Sequence, residues 1–168
     1  AKGLAAMNHE LILLGRDQRK GHQVVEQLKK LSEATSVTYY NADLASQKQI
    51  RQAGEEIKSK HPRIDVLINN AGVWTSKCEF TDEKIEKQFA VNHLAYFLLT
   101  NLLLDTIKAS APARIINVSS GAHSGGKIEF DNLQGEREYS PRHTAIRHLQ
   151  IPIYHGIGPP LSRHRSNR

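Results

Sequence analysis

At 168 residues, with 39% hydrophobic and 24% charged residues, the chain is long enough for one domain with a real core and has the composition of a soluble globular protein. Its longest apolar stretch, Leu94 to Leu104, is broken by Thr100 and Asn101 and is too short to cross a bilayer. The formal charge of +6 invites a nucleic-acid reading, but Pro141 to Arg168 alone carries +5, leaving +1 for the other 140 residues. A charge so localised argues against a basic recognition face.

Taken in chain order, the pattern alternates between strand and helix. Residues 1–7 look like the end of a helix. Glu10 to Leu14 is a short apolar run ending in Gly15-Arg16-Asp17, read as a strand. Gln18 to Leu31 has helical spacing through Val24, Val25, Leu28 and Leu31. Ser36 to Tyr40 is β-rich. Ser46 to Lys60 reads as a helix with Ile50 and Ile57 inward, stopped near Pro62. Ile64 to Ile68 is expected to be a buried strand. Thr81 to Lys108 is expected to be one long helix with Thr81 as its N-cap. Arg114 to Val118 is a second expected buried strand. This alternation argues for a parallel sheet with helices on both faces. After about Ser140 neither period persists, so 1–140 is read as the domain and 141–168 as loop or disorder. That tail holds four of the six prolines and four of the nine histidines. The single cysteine, Cys78, excludes an internal disulfide and points to a reduced, cytoplasmic setting. Nothing resembling a signal peptide or a transmembrane segment stands in the sequence.

Four short motifs sit at the ends of these strands: Asn41-Ala42-Asp43-Leu44, Asn69-Asn70-Ala71-Gly72, Val91-Asn92-His93 within the long helix, and Asn117-Val118-Ser119-Ser120. Together they resemble the short-chain dehydrogenases over roughly residues 1–140. The stretches Leu-Leu-Gly-Arg-Asp at 13–17 and Asp-Asn-Leu-Gln-Gly-Glu-Arg at 131–137 resemble the retinol-dehydrogenase-like branch. The resemblance implies an α/β fold: a partial Rossmann-type doubly wound parallel sheet, lacking its first, central strand and its C-terminal strands, with ligands at the carboxyl ends of the strands.

On that resemblance Asn70, Ala71 and Gly72 belong to the cofactor site, where small residues let a nucleotide approach the backbone. A tight strand-to-loop turn is the plainer reading. Asp43 and Leu44 match the family's adenine-binding turn, although an Asp after a strand also caps turns. Arg16 stands where the adenosine ribose would lie and favours a 2′-phosphate, hence NADP over NAD; Asp17 beside it blurs that choice, and Lys20 is a weaker second candidate. Ser120 matches the serine that polarises the reacting oxygen, with Ser119 as the alternative. Asn92 matches the asparagine that holds a proton-relaying water, against a packing role inside the helix. Trp74 can line a substrate pocket or make an ordinary loop contact. His93, His123 and Cys78 lack metal-ligand spacing.

Two parts of the family pattern are missing. The family's first strand with its glycine-rich phosphate loop is not among these residues; in the family's strand order that strand lies centrally, between those at 10–15 and 64–68. After Ser120 no tyrosine has a lysine four residues on: Tyr139 meets His143 and Tyr154 meets Gly158, and Lys127 is the last lysine. Permitted codons for Ile146 to Pro160, read one base later, give Tyr-Gly-Thr-Ser-Lys-Phe-Gln-Tyr-Ile-Thr-Glu-Leu-Ala-Arg, which contains the absent Tyr-x-x-x-Lys. The resemblance therefore implies an NADP-dependent oxidoreductase for a small lipophilic alcohol or carbonyl, its parent a homo-oligomer, with this chain inactive as written. The competing classes are a non-catalytic remnant and a nucleic-acid binder acting through the tail; no nucleic-acid partner is expected.

Overall fold

The computed structural model describes residues 1–31, 36–119 and 129–139. The expectations for Ser120, His123 and the 141–168 tail lie outside these residues. The elements run α1 (Lys2–Ala6), β1 (Leu11–Gly15), α2 (Gln18–Lys29), β2 (Val37–Asn41), α3 (Gln47–Lys60), β3 (Val66–Asn69), α4 (Lys87–Phe89), a π-helical turn (Ala90–Leu94), α5 (Ala95–Ala109), β4 (Arg114–Asn117) and a 3₁₀ turn (Phe130–Asn132).

The four strands form two parallel pairs. β1 pairs with β2 from Leu11↔Val37 to Gly15↔Asn41, and β3 with β4 from Val66↔Arg114 to Asn69↔Asn117. Among the described residues no ladder joins the pairs. Packing joins them instead. Ile50 and Ile57 of α3, and the i, i+4 stripe Ala95, Leu99, Leu103 and Ile107 of α5, bury one core with Tyr40, Ile64 and Ala113. Ile12 and Leu14 of β1, Leu67 of β3 and Ile115 of β4 pack against this same core. The two-residue period of β1 then sends Leu11 and Leu13 to the opposite face, where Ala5, Leu28, Val37 and Val25 form a second, smaller core beneath α1 and α2.

The second pair is not covered in this way. Both β3 and β4 were read as buried strands, yet Val66, Ile68, Ile116 and Val118 are 42–46% exposed. Their inward neighbours Leu67 and Ile115 pack against the helical core instead.

The long helix also differs from expectation. Thr81 is not its N-cap. Thr81 N donates to Ile85 O, and Lys84 N to Thr81 O, across a turn in which Lys84 takes the left-handed conformation (φ 58°), and Thr81 Oγ1 accepts from Ile85 N. Glu86 caps instead, accepting from Gln88 N and Phe89 N at 3.0 and 2.7 Å. Burial pushes the Glu86 carboxyl pKa up against those two bonds. Its neighbour Glu83 reaches away to the first turn of α3, accepting from Gln47 N and Lys48 N. Between α4 and α5 the helix widens by one π-type turn, its Ala95 N–H bonding to Ala90 O.

Two glycines show where side chains are pinned. A Cβ on Gly21 would lie 2.2 Å from the Tyr39 ring, whereas one on Gly54 would meet the mobile end of Leu102 at 2.9 Å. Gly21→Ala is therefore expected to cost about 2 kcal/mol through overpacking. Gly54→Ala is expected to stay within about 1 kcal/mol of neutral, since helix propensity offsets a contact that can relax. Urea denaturation of both variants checks the contrast; equal losses would show that the Tyr39 ring is not held.

Candidate active site

The described candidate residues lie at or just beyond the carboxyl ends of the parallel strands, except Asn92, which α5 and its preceding turn bring there. At the end of β3, Asn69 is buried and its amide donates to Thr100 Oγ1 of α5 (3.1 Å) and to Asn117 Oδ1 of β4 (2.7 Å). This network fixes the mouth of the β3–β4 pair. Beyond it, Asn70, Ala71 and Gly72 are exposed.

The loop that follows is clamped from one side. Asn92, buried in the π-helical turn, accepts from Val73 N at 2.8 Å and donates to Val73 O at 2.9 Å. An amide facing a peptide group in this way satisfies one donor and one acceptor at once. One helical turn on, the Tyr96 phenol donates to Ala71 O. Burial pushes the Tyr96 pKa up, which keeps the hydroxyl a neutral donor. Asn92, matched in sequence to a water-holding role, uses one donor and one acceptor of its amide on Val73, which shapes the loop. Tyr96 was missed, although its spacing of four from Asn92 on one helix face was a readable signal.

Among the described residues the opposite side of the loop is open. Of these, a Cβ added to Gly72 would meet only Asn92 Oδ1, at 3.7 Å, and Gly72 needs no left-handed backbone. Neither the packing of the described residues nor the backbone conformation demands glycine there. An uncrowded backbone is what a close-approaching ligand requires.

At the end of β2, Asp43 does cap its own turn: Oδ1 accepts from Ala45 N at 2.9 Å, while Asp43 N donates to Gln49 Oε1 at 2.8 Å. Leu44 leans on the larger core. At the end of β1, Arg16 is exposed. Asp17, whose role was ambiguous, is the N-cap of α2: Oδ1 accepts from Lys20 N at 2.9 Å and Oδ2 pairs with Lys20 Nζ at 3.7 Å. The backbone N–H of Lys20 holds the Asp17 carboxyl below its ordinary pKa. That carboxylate is thus committed to its helix, and Arg16 is left as the outward charge of the turn.

Beyond β4, Val118 and Ser119 are exposed. Trp74 is 66% exposed. Tyr139, considered in sequence only as a failed Tyr-x-x-x-Lys, is a tether: its hydroxyl accepts from Gln88 Nε2 and bonds Thr75 Oγ1, both at 2.8 Å. It ties the 129–139 segment to the loop that carries Trp74. His93 is buried and stacks on Phe89 with centroids 5.5 Å apart. No group of three or more His, Cys, Asp or Glu among the described residues can hold a metal ion, and no described helix is long and apolar enough to cross a membrane.

This arrangement has counterparts among known proteins. The family model for short chain dehydrogenase matches residues 1–131. Human retinol dehydrogenase 13 is 44% identical over 140 residues, covering 83% of this chain and 42% of that protein. Human polyprenol dehydrogenase is 40% identical over 157 residues, covering 91% and 47%. A metagenomic short-chain oxidoreductase solved in complex with NADP superposes with a TM-score of 0.68 at 23% identity, over 88% of this chain and 62% of that one. The chain belongs to the short chain dehydrogenase family. Within it, the chain is retinol-dehydrogenase-like, and it spans under half the length of the curated relatives it matches.

Two expectations follow. Asn92→Leu strands both Val73 peptide groups and should cost about 2 kcal/mol, with faster hydrogen exchange at the Val73 amide; unchanged exchange there would remove the clamp. Burial lowers the His93 pKa from 6.5. A depressed folded-state pKa gives stability that is complete above pH 6.5 and falls as pH drops toward the lower folded value. Urea denaturation between pH 7.5 and 5.5 should therefore show a steeper acid-side loss in the wild type than in His93→Phe, and identical pH slopes would refute it.

Proposed function

We propose that the chain carries the cofactor-holding part of an NADP-dependent dehydrogenase for a small lipophilic alcohol or carbonyl, and that this chain as written does not turn over. The observation that carries the reading is the clamped yet open loop at 70–73: Asn92 and Tyr96 hold its backbone from behind while nothing described crowds Gly72 in front.

The residues present fit the adenosine half of a dinucleotide; without the glycine-rich loop that would hold its phosphates, binding by this chain is expected to be weak or absent. Arg16 offers an exposed guanidinium for a 2′-phosphate. The Asp43 turn offers the carboxylate oxygen not bonded to Ala45 N to an adenine amino group. Leu44 contributes through its backbone, since its side chain faces the core. Asn70, Ala71 and Gly72 give the backbone access along which the nucleotide lies. When bound, the nicotinamide supplies or accepts the hydride. Ser120 orients the substrate oxygen, and Asn92 supports the proton relay. Trp74, exposed beside this loop, suits an apolar substrate wall. The resemblance to retinol and polyprenol dehydrogenases supports the lipophilic class, and the NADP-bound metagenomic relative supports the cofactor. A reduced, cytoplasmic setting and a homo-oligomeric parent belong to the same reading.

The inactivity rests on chemistry. In this family's scheme a tyrosine exchanges the proton and a lysine lowers its pKa, and no Tyr-x-x-x-Lys follows Ser120. A one-base shift after about residue 140 accounts for that loss. Two measurements test the proposal. Incubating the 168-residue chain with NADP and a retinoid or polyprenol alcohol should give no NADPH absorbance; detectable turnover overturns the inactivity. Sequencing genomic DNA and transcript from upstream of Ala1 through Ser140–Gln150 should restore Tyr-Gly-Thr-Ser-Lys by one base; an unchanged reading overturns the frameshift and leaves a non-catalytic relic.

A further inference from the structure

The turn that bears Arg16 is held by an arrangement that its role in 2′-phosphate binding does not by itself require. The carbonyls of Gly15 and Arg16 face donors at the end of β2, and that of Asp17, which also accepts the first helical bond of α2 from Gly21 N at 2.8 Å, meets one of them. The single hydroxyl hydrogen of Tyr39 is shared between Gly15 O at 2.7 Å and Asp17 O at 3.0 Å. The Asn41 amide, its NH₂ turned toward β1, donates to Gly15 O and Arg16 O at 3.1 Å each. Ala42 N donates to Gly15 O at 2.9 Å. In a trans peptide the C=O and the next N–H point in opposite directions. The N–H groups of Arg16, Asp17 and Gln18 therefore face away from β2, at the start of the twelve-residue helix α2.

Neighbouring features keep this fixture rigid. The Tyr39 ring fills the space above Gly15 and Gly21, so closely that neither glycine has room for an unstrained methyl. His22 meets the ring edge-on at 6.2 Å between centroids. Burial pushes the Tyr39 pKa up, so its hydroxyl stays a donor through the neutral range.

We propose that Tyr39, assisted by Asn41, is a positioning residue that sets cofactor preference: by fixing these carbonyls it presents the Arg16 backbone and side chain to a 2′-phosphate. The inference rests on the reading of Arg16 given above. It assigns a selectivity function to side chains of β2.

The test is an NMR titration of the full 168-residue chain with 2′,5′-ADP and with 5′-AMP. Tyr39→Phe keeps the ring over Gly21 and removes only the hydroxyl. We expect it to leave 5′-AMP affinity unchanged and to reduce the preference for 2′,5′-ADP by about fivefold to tenfold, as loss of a well-placed hydrogen bond does. Asn41→Ala, which leaves the ring untouched, should lower the preference in the same direction. A preference that survives Tyr39→Phe, or equal weakening of both ligands, overturns the positioning role. Arg16→Ala separates the two ideas. If it abolishes a preference that Tyr39→Phe leaves intact, only the role of Tyr39 falls. If the wild type shows no preference for the 2′-phosphate, the reading of Arg16 falls and takes this one with it.

Discussion

Two pairs of parallel strands that share no described hydrogen bond depend on side-chain packing for their relation to each other. The stripe Ala95, Leu99, Leu103 and Ile107 meets Ile50 and Ile57, and residues from all four strands lean on that cluster. Packing is non-directional, so it fixes distance better than register. Directional bonds then complete the site locally. The Asn69 amide locks β3 to β4 and to α5, and the Asn92 amide locks the following loop to the helix. Each end of the site is thus built within its own strand pair, and α5 is the common reference.

The same division appears in the electrostatics. Asp17 is neutralised as a ligand group by its own helix and by Lys20, which leaves the outward charge to Arg16. Asp43 divides its carboxylate between its turn and the space beyond. Polar side chains at this edge serve the backbone first; what remains after the turns are satisfied defines what a ligand can meet.

Much of this was legible in the sequence. Periodicity placed all four strands and the helices on the two flanks of the first pair, and the strand-end motifs pointed to a candidate site because ligands gather at the carboxyl ends of such sheets. What escaped notice was side-chain geometry over long sequence separations. Tyr39 reaches a turn 24 residues earlier, and Tyr139 reaches Thr75 across 64; no local period encodes either. The helix start was misplaced because Thr81 is a good cap by composition, while the left-handed Lys84 and the buried Glu86 decide the matter in three dimensions. The exposure of Val66, Ile68, Ile116 and Val118 escaped for a different reason: apolar strands read alike whether one face or both are covered.

Trp74 carries a consequence of another kind. It is the only tryptophan in the chain, two residues beyond Gly72 and largely open to solvent. The indole emission of this protein therefore originates entirely from the rim of the candidate site, with no core fluorophore to dilute it. The loop held by Asn92 and tied to Tyr139 comes with its own optical probe, and the colour and intensity of that emission track the polarity at the site mouth without any label.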